Sequence, residues 1–486
     1  MGTHRLSHSA TSHLSSSDVP GWLYVVITVL AAFSLFTPQP ILGMACWGTV
    51  LLLTYLAWRD AEPPILLFGA VKLWTVASAQ VIYYGIVGRS LHDVGGPEVE
   101  QAIWLVLVSS CVIFLGIRTS LAGAPTLSLE QLHTEAMQLS IERIFFAYLL
   151  SYLASAAFDF GDVAALGGIA QFLLALKLIR WVLFFLLTFA CLSQEEGYRF
   201  LIVAIVVETI FGLLGFWGSF KEFFPIFVVA YLGARRGFRP KEFATTFVVF
   251  ALVLFLGLFW TAIKPDYRDF LTGGQRTQRI VVPMSAQAVK IVELAGEVDS
   301  RDLQEAVEPA MKRVGYVDYF AETIEYIPEY RPYDDGSGWK NGIMHVLKPR
   351  LFFPNKPAIH DSEITRKYTG LNVASASQGT SISIGYIGES YADFGPWFMF
   401  VPIFFVGIGY GFMYRYFLVT GNIKLLGMAF AAAFLPTMIG GQPSIPRLLG
   451  NSITQFVVMG GLLWVAGPSL YRLLLKRSPE PSPFPA

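Results

Sequence analysis

The residues best suited to chemistry stand in one stretch, His345-Val-Leu-Lys348-Pro349-Arg350-Leu-Phe352-Phe353-Pro354-Asn-Lys356-Pro357, which runs on to His360 and Asp361. Three prolines within nine residues fix φ and push each preceding residue toward extended backbone. Lys348, Arg350 and Lys356 are thereby held on a stiff ribbon, with Phe352 and Phe353 as apolar anchors. Cations fixed in this way suit a phosphate or pyrophosphate, because Arg offers a planar fork and Lys a compact point charge. The plainer alternative is anchoring beside anionic lipid. His360 and Asp361 add groups able to move a proton.

A second stretch is Gly385-Tyr386-Ile387-Gly388-Glu389-Ser390-Tyr391-Ala392-Asp393-Phe394-Gly395. Read as a helix, it sets Glu389 and Asp393 four apart on one face. A carboxylate there could take the proton of a sugar hydroxyl; the alternative is a solvated helix start, where acids are favoured electrostatically. The segment between the two stretches, rich in Ser and Thr with Asn372 and Gln378, suits a carbohydrate groove or an ordinary exposed loop. Arg268, Arg276 and Arg279 follow directly on an apolar run, where the phosphate of a lipid-linked substrate would enter. Lys177 and Arg180 share a helix face in the middle of another apolar run, with Glu208 as a partner for one of them. Charges at such depth are costly and mark cavities or function. A break near Lys177 would open that site to water.

The elements that must position these groups are membrane helices. Of 486 residues, 54% are hydrophobic and only 14% charged, far below the quarter usual in soluble chains. Net charge is zero, which gives no footprint for nucleic acid. Cys46, Cys111 and Cys191 lie inside apolar runs as small hydrophobes. The polar start, residues 1–20, lacks the order of a cleaved signal and reads as a disordered tail. Apolar runs of spanning length fall near 21–36, 41–58, 64–87, 101–117, 142–158, 165–191, 199–217, 222–236, 243–263, 396–417, 422–440 and 452–474. They predict an all-α polytopic protein of about twelve spans: a first bundle over 21–263, a long segment over 264–395, three last spans over 396–474 and a tail over 475–486.

Basic residues in short loops set orientation. Arg235, Arg236, Arg239 and Lys241 share one turn, Arg415 and Lys424 another, and Arg472, Lys476 and Arg477 close the chain. Twelve alternating spans put all of them on one side, so both termini are expected in the cytoplasm and the long segment outside it. Lys221 and Arg447 then fall in short outer turns, where basic residues are disfavoured. The long segment carries 15 Lys/Arg and 18 Asp/Glu. Val317, Phe320, Ala321, Ile324 and Ile327 follow helical spacing, and Asp361 or Ser362 is placed to cap a short helix that ends at Gly370. A helical cap on the bundle is expected.

Pro349-Arg350-Leu-Phe-Phe-Pro354-Asn-Lys356-Pro357 followed by Gly388-Glu389-Ser-Tyr391-Ala-Asp-Phe394-Gly395 at the opening of a late span resembles the Wzy-type polymerases of O-antigen and exopolysaccharide repeat units. The topology extends the likeness over most of the chain; the motifs cover about fifty residues. The resemblance implies a GT-C-like glycosyltransferase of the bacterial inner membrane that joins oligosaccharide units carried on polyprenyl (undecaprenyl) pyrophosphate. It implies no metal and no cofactor, and a chain-length regulator and a flippase as possible partners. Cations should stabilise charge on the pyrophosphate leaving group: Arg350, Lys356, Arg276, Arg279, Lys177 and Arg180, with Arg268, Lys348, Tyr391 and Arg447 as further substrate contacts. The base that takes the acceptor proton is His360, Glu389 or Asp361. A ligase moving finished glycan shares this topology; a flippase would show an internal repeat, and none is visible. Arg350→Ala is expected to abolish long-chain product while single lipid-linked units persist, read as the loss of the ladder on a gel.

Overall fold

A backbone that crosses lipid must satisfy its own polar groups, and a long apolar run does so as a helix. The computed structural model describes residues 21–160, 170–214, 219–235, 240–275, 280–348, 352–353, 355–374, 381–420 and 423–476. Among them it is all-helical, with one isolated bridge between Leu139 and Leu475. The first part holds α1 (Gly21–Phe33), α2 (Pro40–Ala57), α3 (Ile65–Val87), α4 (Leu91–Ser120), α5 (Leu129–Met137), α6 (Ile141–Phe160), α7 (Ala170–Leu176), α8 (Ile179–Gln194), α9 (Tyr198–Leu214), α10 (Phe223–Ala234) and α11 (Pro240–Thr272). Six short helices follow: α12 (Met284–Glu297), α13 (Ser300–Glu305), α14 (Val307–Val314), α15 (Asp318–Tyr326), α16 (Ser337–Val346) and α17 (Asp361–Thr369). The chain closes with α18 (Gly385–Phe398), α19 (Phe400–Val419), α20 (Lys424–Met438) and α21 (Ile445–Leu474).

Among the described residues seven helices are long and apolar enough to cross a membrane: α2, α3, α4, α7 with α8, α11, α19 and α21. Residues 21–36, α10 and most of α20 are shorter apolar helices. α6 and α9 occupy the two other places where the sequence predicts a span.

Two boundaries differ from the sequence reading. The helix expected to stop at 263 runs on through Lys264 and Pro265 to Thr272. The polar stretch stays helical because Tyr267 and Leu271 are fully buried, in one cluster with Phe220, Trp260, Ile263 and Leu294 of α12. The long apolar run near 164–192 is broken, with α7 ending at Leu176 and α8 starting at Ile179, which leaves Lys177 at the break.

The bundle has two distinct ends. At one, the short loops are stitched together by basic side chains. Arg59 donates to Pro125 O at 3.0 Å, Arg415 to Ala122 O at 3.4 Å and Arg143 to Leu475 O at 2.8 Å. Lys476 lies 3.8 Å from Glu196 and Arg235 3.9 Å from Glu195. The six short helices pack on the opposite end. There Tyr84 and Arg89, at the far end of α3, reach Glu308 of α14 at 2.9 and 3.3 Å, and α15 packs on α4. Val317, Phe320, Ala321, Ile324 and Ile327 are all buried on α15 and its flanks, as their spacing predicts.

α4 and α19 form the tightest pair of long helices. A Cβ on Gly407 would strike the carbonyl of Ile113, and one on Gly116 would strike that of Phe404. Small residues allow this close approach, which supplies packing where lipid offers no hydrophobic drive. Gly409, on the same helix, has nothing within 4 Å of its would-be Cβ. Gly407→Ala is expected to cost about 1–3 kcal/mol, seen as a lowered melting temperature in detergent, with Gly409→Ala close to wild type.

Candidate functional site

The second motif forms α18, and almost all of it is buried: Glu389 is 4% exposed, and Ser390 and Asp393 not at all. It is therefore no solvated helix start. Two glycines make the placement possible. Gly385 has φ +81° and sits against the carbonyl of Gly441, where any side chain would clash; Gly395 has φ +71° and breaks the helix before Pro396. The two carboxylates then serve different helices. Asp393 accepts from the backbone N of Gly338 and Trp339 at 3.0 and 2.8 Å, at the N-terminus of α16. Glu389 accepts from Ile445 N at 3.2 Å, at the N-terminus of α21. Unpaired N–H groups and the helix dipole favour an anion at both places.

Asp361 meets the same end of α21. It opens α17 without capping it, and its carboxylate is turned to other partners. Ser444 Oγ donates to Oδ1 at 2.7 Å, Ser381 Oγ to Oδ2 at 2.9 Å, and Arg447 Nε lies 2.7 Å from Oδ2. Arg447 also donates to Ser381 Oγ at 3.0 Å. The Asp361 side chain is buried, whereas that of Arg447 is 42% exposed. The tertiary structure thus joins Asp361, Glu389 and Arg447 around the first turn of α21.

Glu389 Oε1 is buried with no hydrogen-bond partner among the described residues. Burial, reinforced by the charges of Asp361 and Asp393, pushes the carboxyl up to about 8, against the bond from Ile445 N and the charge of Lys367. The acid is therefore largely neutral at pH 7.

A cationic region lies where α11, α14 and the turn before α10 come together. The charges of Arg313, Arg268 and Lys221 all act on Lys264, and Arg313 acts on Lys221 and Arg268 as well. Four like charges gathered at the capped end repel one another, and a polyanion would relieve that repulsion. Lys264 and Arg268 stand four apart on one face of α11, a spacing legible in the sequence; Arg313 comes from α14 and has no such signal. Glu222, next to Lys221, links this region to the bundle interior. Its carboxylate is 4.0 Å from Arg180, which lies 3.5 Å from Glu208 and 4.1 Å from the centre of the Trp181 ring. Glu208 also accepts from Tyr148 Oη at 2.8 Å. Arg180 thus has the acidic partner that its sequence suggests. α7, just before Lys177, packs on α21.

The other expected residues fare differently. Tyr391 is 3% exposed, packed against Phe320 and Tyr333 with its hydroxyl 3.3 Å from Ile327 O. The ring packs in the core under the cap. His360 is exposed, directly before α17. Lys348 is exposed after α16, and Lys356 Nζ donates to the His345 carbonyl. Arg350, Arg276 and Arg279 lie outside the described residues. Among the described residues no group of three or more His, Cys, Asp or Glu is placed to hold a metal ion.

Among the described residues, fold and site together define an all-helical protein with seven helices fit to cross a membrane and a charged site beneath a cap of short helices. The chain belongs to the family described as a domain of unknown function (DUF8712), whose profile matches residues 109–416. That match takes in Asp361, Glu389 and the cationic region and ends before α21, so Ser444 and Arg447 lie beyond it. No curated protein and no solved structure matches the chain.

The raised Glu389 pKa has a sign. An acid at 4.5 when unfolded and about 8 when folded binds more protons in the folded state between those values. Stability therefore falls as pH rises through that window, by at most about 1.4 kcal/mol per pH unit. Glu389→Gln is expected to flatten the fall of melting temperature between about pH 5 and 8.

Proposed function

We propose that the protein is a membrane glycosyltransferase that polymerises oligosaccharide units carried on polyprenyl pyrophosphate. The observation that carries this reading is the pairing of two chemically distinct regions at the capped end. One is the cation group of Lys221, Lys264, Arg268 and Arg313; the other is the Asp361–Arg447 site at the start of α21. A transferase that uses a pyrophosphate donor needs one of each: positive charge for the leaving group and a base for the acceptor. In this reading the twelve predicted helices all cross the membrane in a GT-C-like arrangement. The basic end and both termini face the cytoplasm, and the capped end faces outward at the inner membrane.

Asp361 takes the base role. A carboxyl kept neutral, as at Glu389, accepts no proton near pH 7. Asp361 is oriented by Ser444 and Ser381, with exposed Arg447 alongside. The acceptor hydroxyl passes its proton to Asp361 while its oxygen bonds to the anomeric carbon. The bond from that carbon to the pyrophosphate oxygen breaks, and the added negative charge settles among the cations. Arg350, Arg276 and Arg279, from their places in the sequence, would add to that charge. The activated donor supplies the driving force.

Purified protein given lipid-linked repeat units in detergent should form polymer with no second compartment, which a flippase cannot do. Lys264→Gln with Arg313→Gln is expected to lower the rate roughly 10²-fold or more, as for loss of groups that stabilise transition-state charge. Asp361→Asn should do the same while donor binding persists. Wild-type-like ladders from both variants would remove the assignment. Full-length glycan left on the carrier in such variants would instead mark a ligase.

A further inference from the structure

Away from the residues of the proposed site, α2 and α4 leave between them an apolar furrow of about 300 Å³. Leu52 and Leu56 form one wall; Val108, Cys111 and Leu115 form the other, and Trp104 stands toward the capped end. From Trp104 to Leu115 the furrow follows eleven residues of helix, about 17 Å at the α-helical rise. That is the reach of most of one acyl chain. Leu52, Val108 and Leu115 remain 45%, 43% and 49% exposed on its walls.

The mouth carries a fixed cation. Arg118 stands one turn beyond Leu115, at the end of α4 that meets the basic loops. Its guanidinium lies 4.6 Å from the centre of the Tyr55 ring and donates through Nη1 to Tyr55 O at 2.8 Å. Those contacts use one donor and one face of a group with five N–H donors, and the residue stays exposed. Trp58 and Arg59 follow α2 at the same level, as interfacial anchors do.

We propose that this furrow binds one anionic phospholipid of the leaflet at the basic end, with an acyl chain along Leu52, Val108 and Leu115 and its phosphate on Arg118. The apolar walls choose a hydrocarbon chain, and the single fixed guanidinium chooses a negatively charged head group. The site is independent of the transferase chemistry and of the capped end.

The test uses the full chain, stripped of lipid in detergent and titrated with dioleoylphosphatidylglycerol or dioleoylphosphatidylcholine, with binding counted by native mass spectrometry. Wild type is expected to retain one phosphatidylglycerol with about five-fold preference over phosphatidylcholine, the worth of one basic residue at a membrane surface. Val108→Trp, which fills the furrow, should lose both lipids. Arg118→Gln should keep the chain site and lose the preference. The lipid-free melting temperature reports whether each variant is folded; if Val108→Trp is not, Leu52→Phe narrows the same furrow from the other wall. Equal binding of the two lipids to wild type overturns the proposal, as does undiminished phosphatidylglycerol on a folded furrow-filling variant.

Discussion

The arrangement depends on buried carboxylates seated at helix N-termini. α18 carries two of them, Asp393 under α16 and Glu389 under α21, and Asp361 adds a third beside Ser444. The first N–H groups of a helix have no partner within it, and burial without one is expensive. A carboxylate meets that need and loses part of its own desolvation cost in return. Cap and bundle are joined through these contacts: α16 hangs on Asp393, and α17 on the Asp361–Arg447 pair.

Such a joint differs from hydrophobic docking in one respect. Apolar contacts hold the cap to the bundle through Phe320, Tyr391 and Tyr333, but they tolerate sliding. Hydrogen bonds from fixed backbone N–H groups do not. They set where Asp361 and Arg447 stand relative to α21, and a reacting group must be placed to within a fraction of an ångström. The network that holds the cap is thus also the network that would orient the base. Glu389 is the exception within it: among the described residues one oxygen finds no partner, and burial favours the protonated acid.

The division of charge between the two ends of the bundle has a separate origin. At the basic end, Arg and Lys side chains tie loops to carbonyl oxygens and to Glu195 and Glu196, so their charge is partly spent on structure. At the capped end Lys221, Lys264, Arg268 and Arg313 act on one another. Glu222 offsets part of the mutual repulsion at Lys221, and in the proposed reading a polyanionic ligand offsets more of it.

The sequence by itself determined that the chain is helical and where its apolar helices lie. The apolar runs place every long helix, and the helical spacing of Val317 to Ile327 and the stop at Gly370 locate α15 and α17, because hydrophobic period and helix-end chemistry are local. It also drew attention to Asp361, Glu389, Arg447 and the Arg180–Glu208 pair, since charge in or beside apolar sequence is conspicuous. Only the tertiary structure decided which of these meet. Asp361 and Arg447 are 86 positions apart in the chain and touch because α17 and α21 start at the same place. That Tyr391 is packed in the core was not legible either, because an aromatic gives the same sequence signal in a core as at a ligand. Arg313 gave no sign at all: its importance lies in neighbours brought by α11 and by the turn before α10, and a charge becomes a site only through what surrounds it.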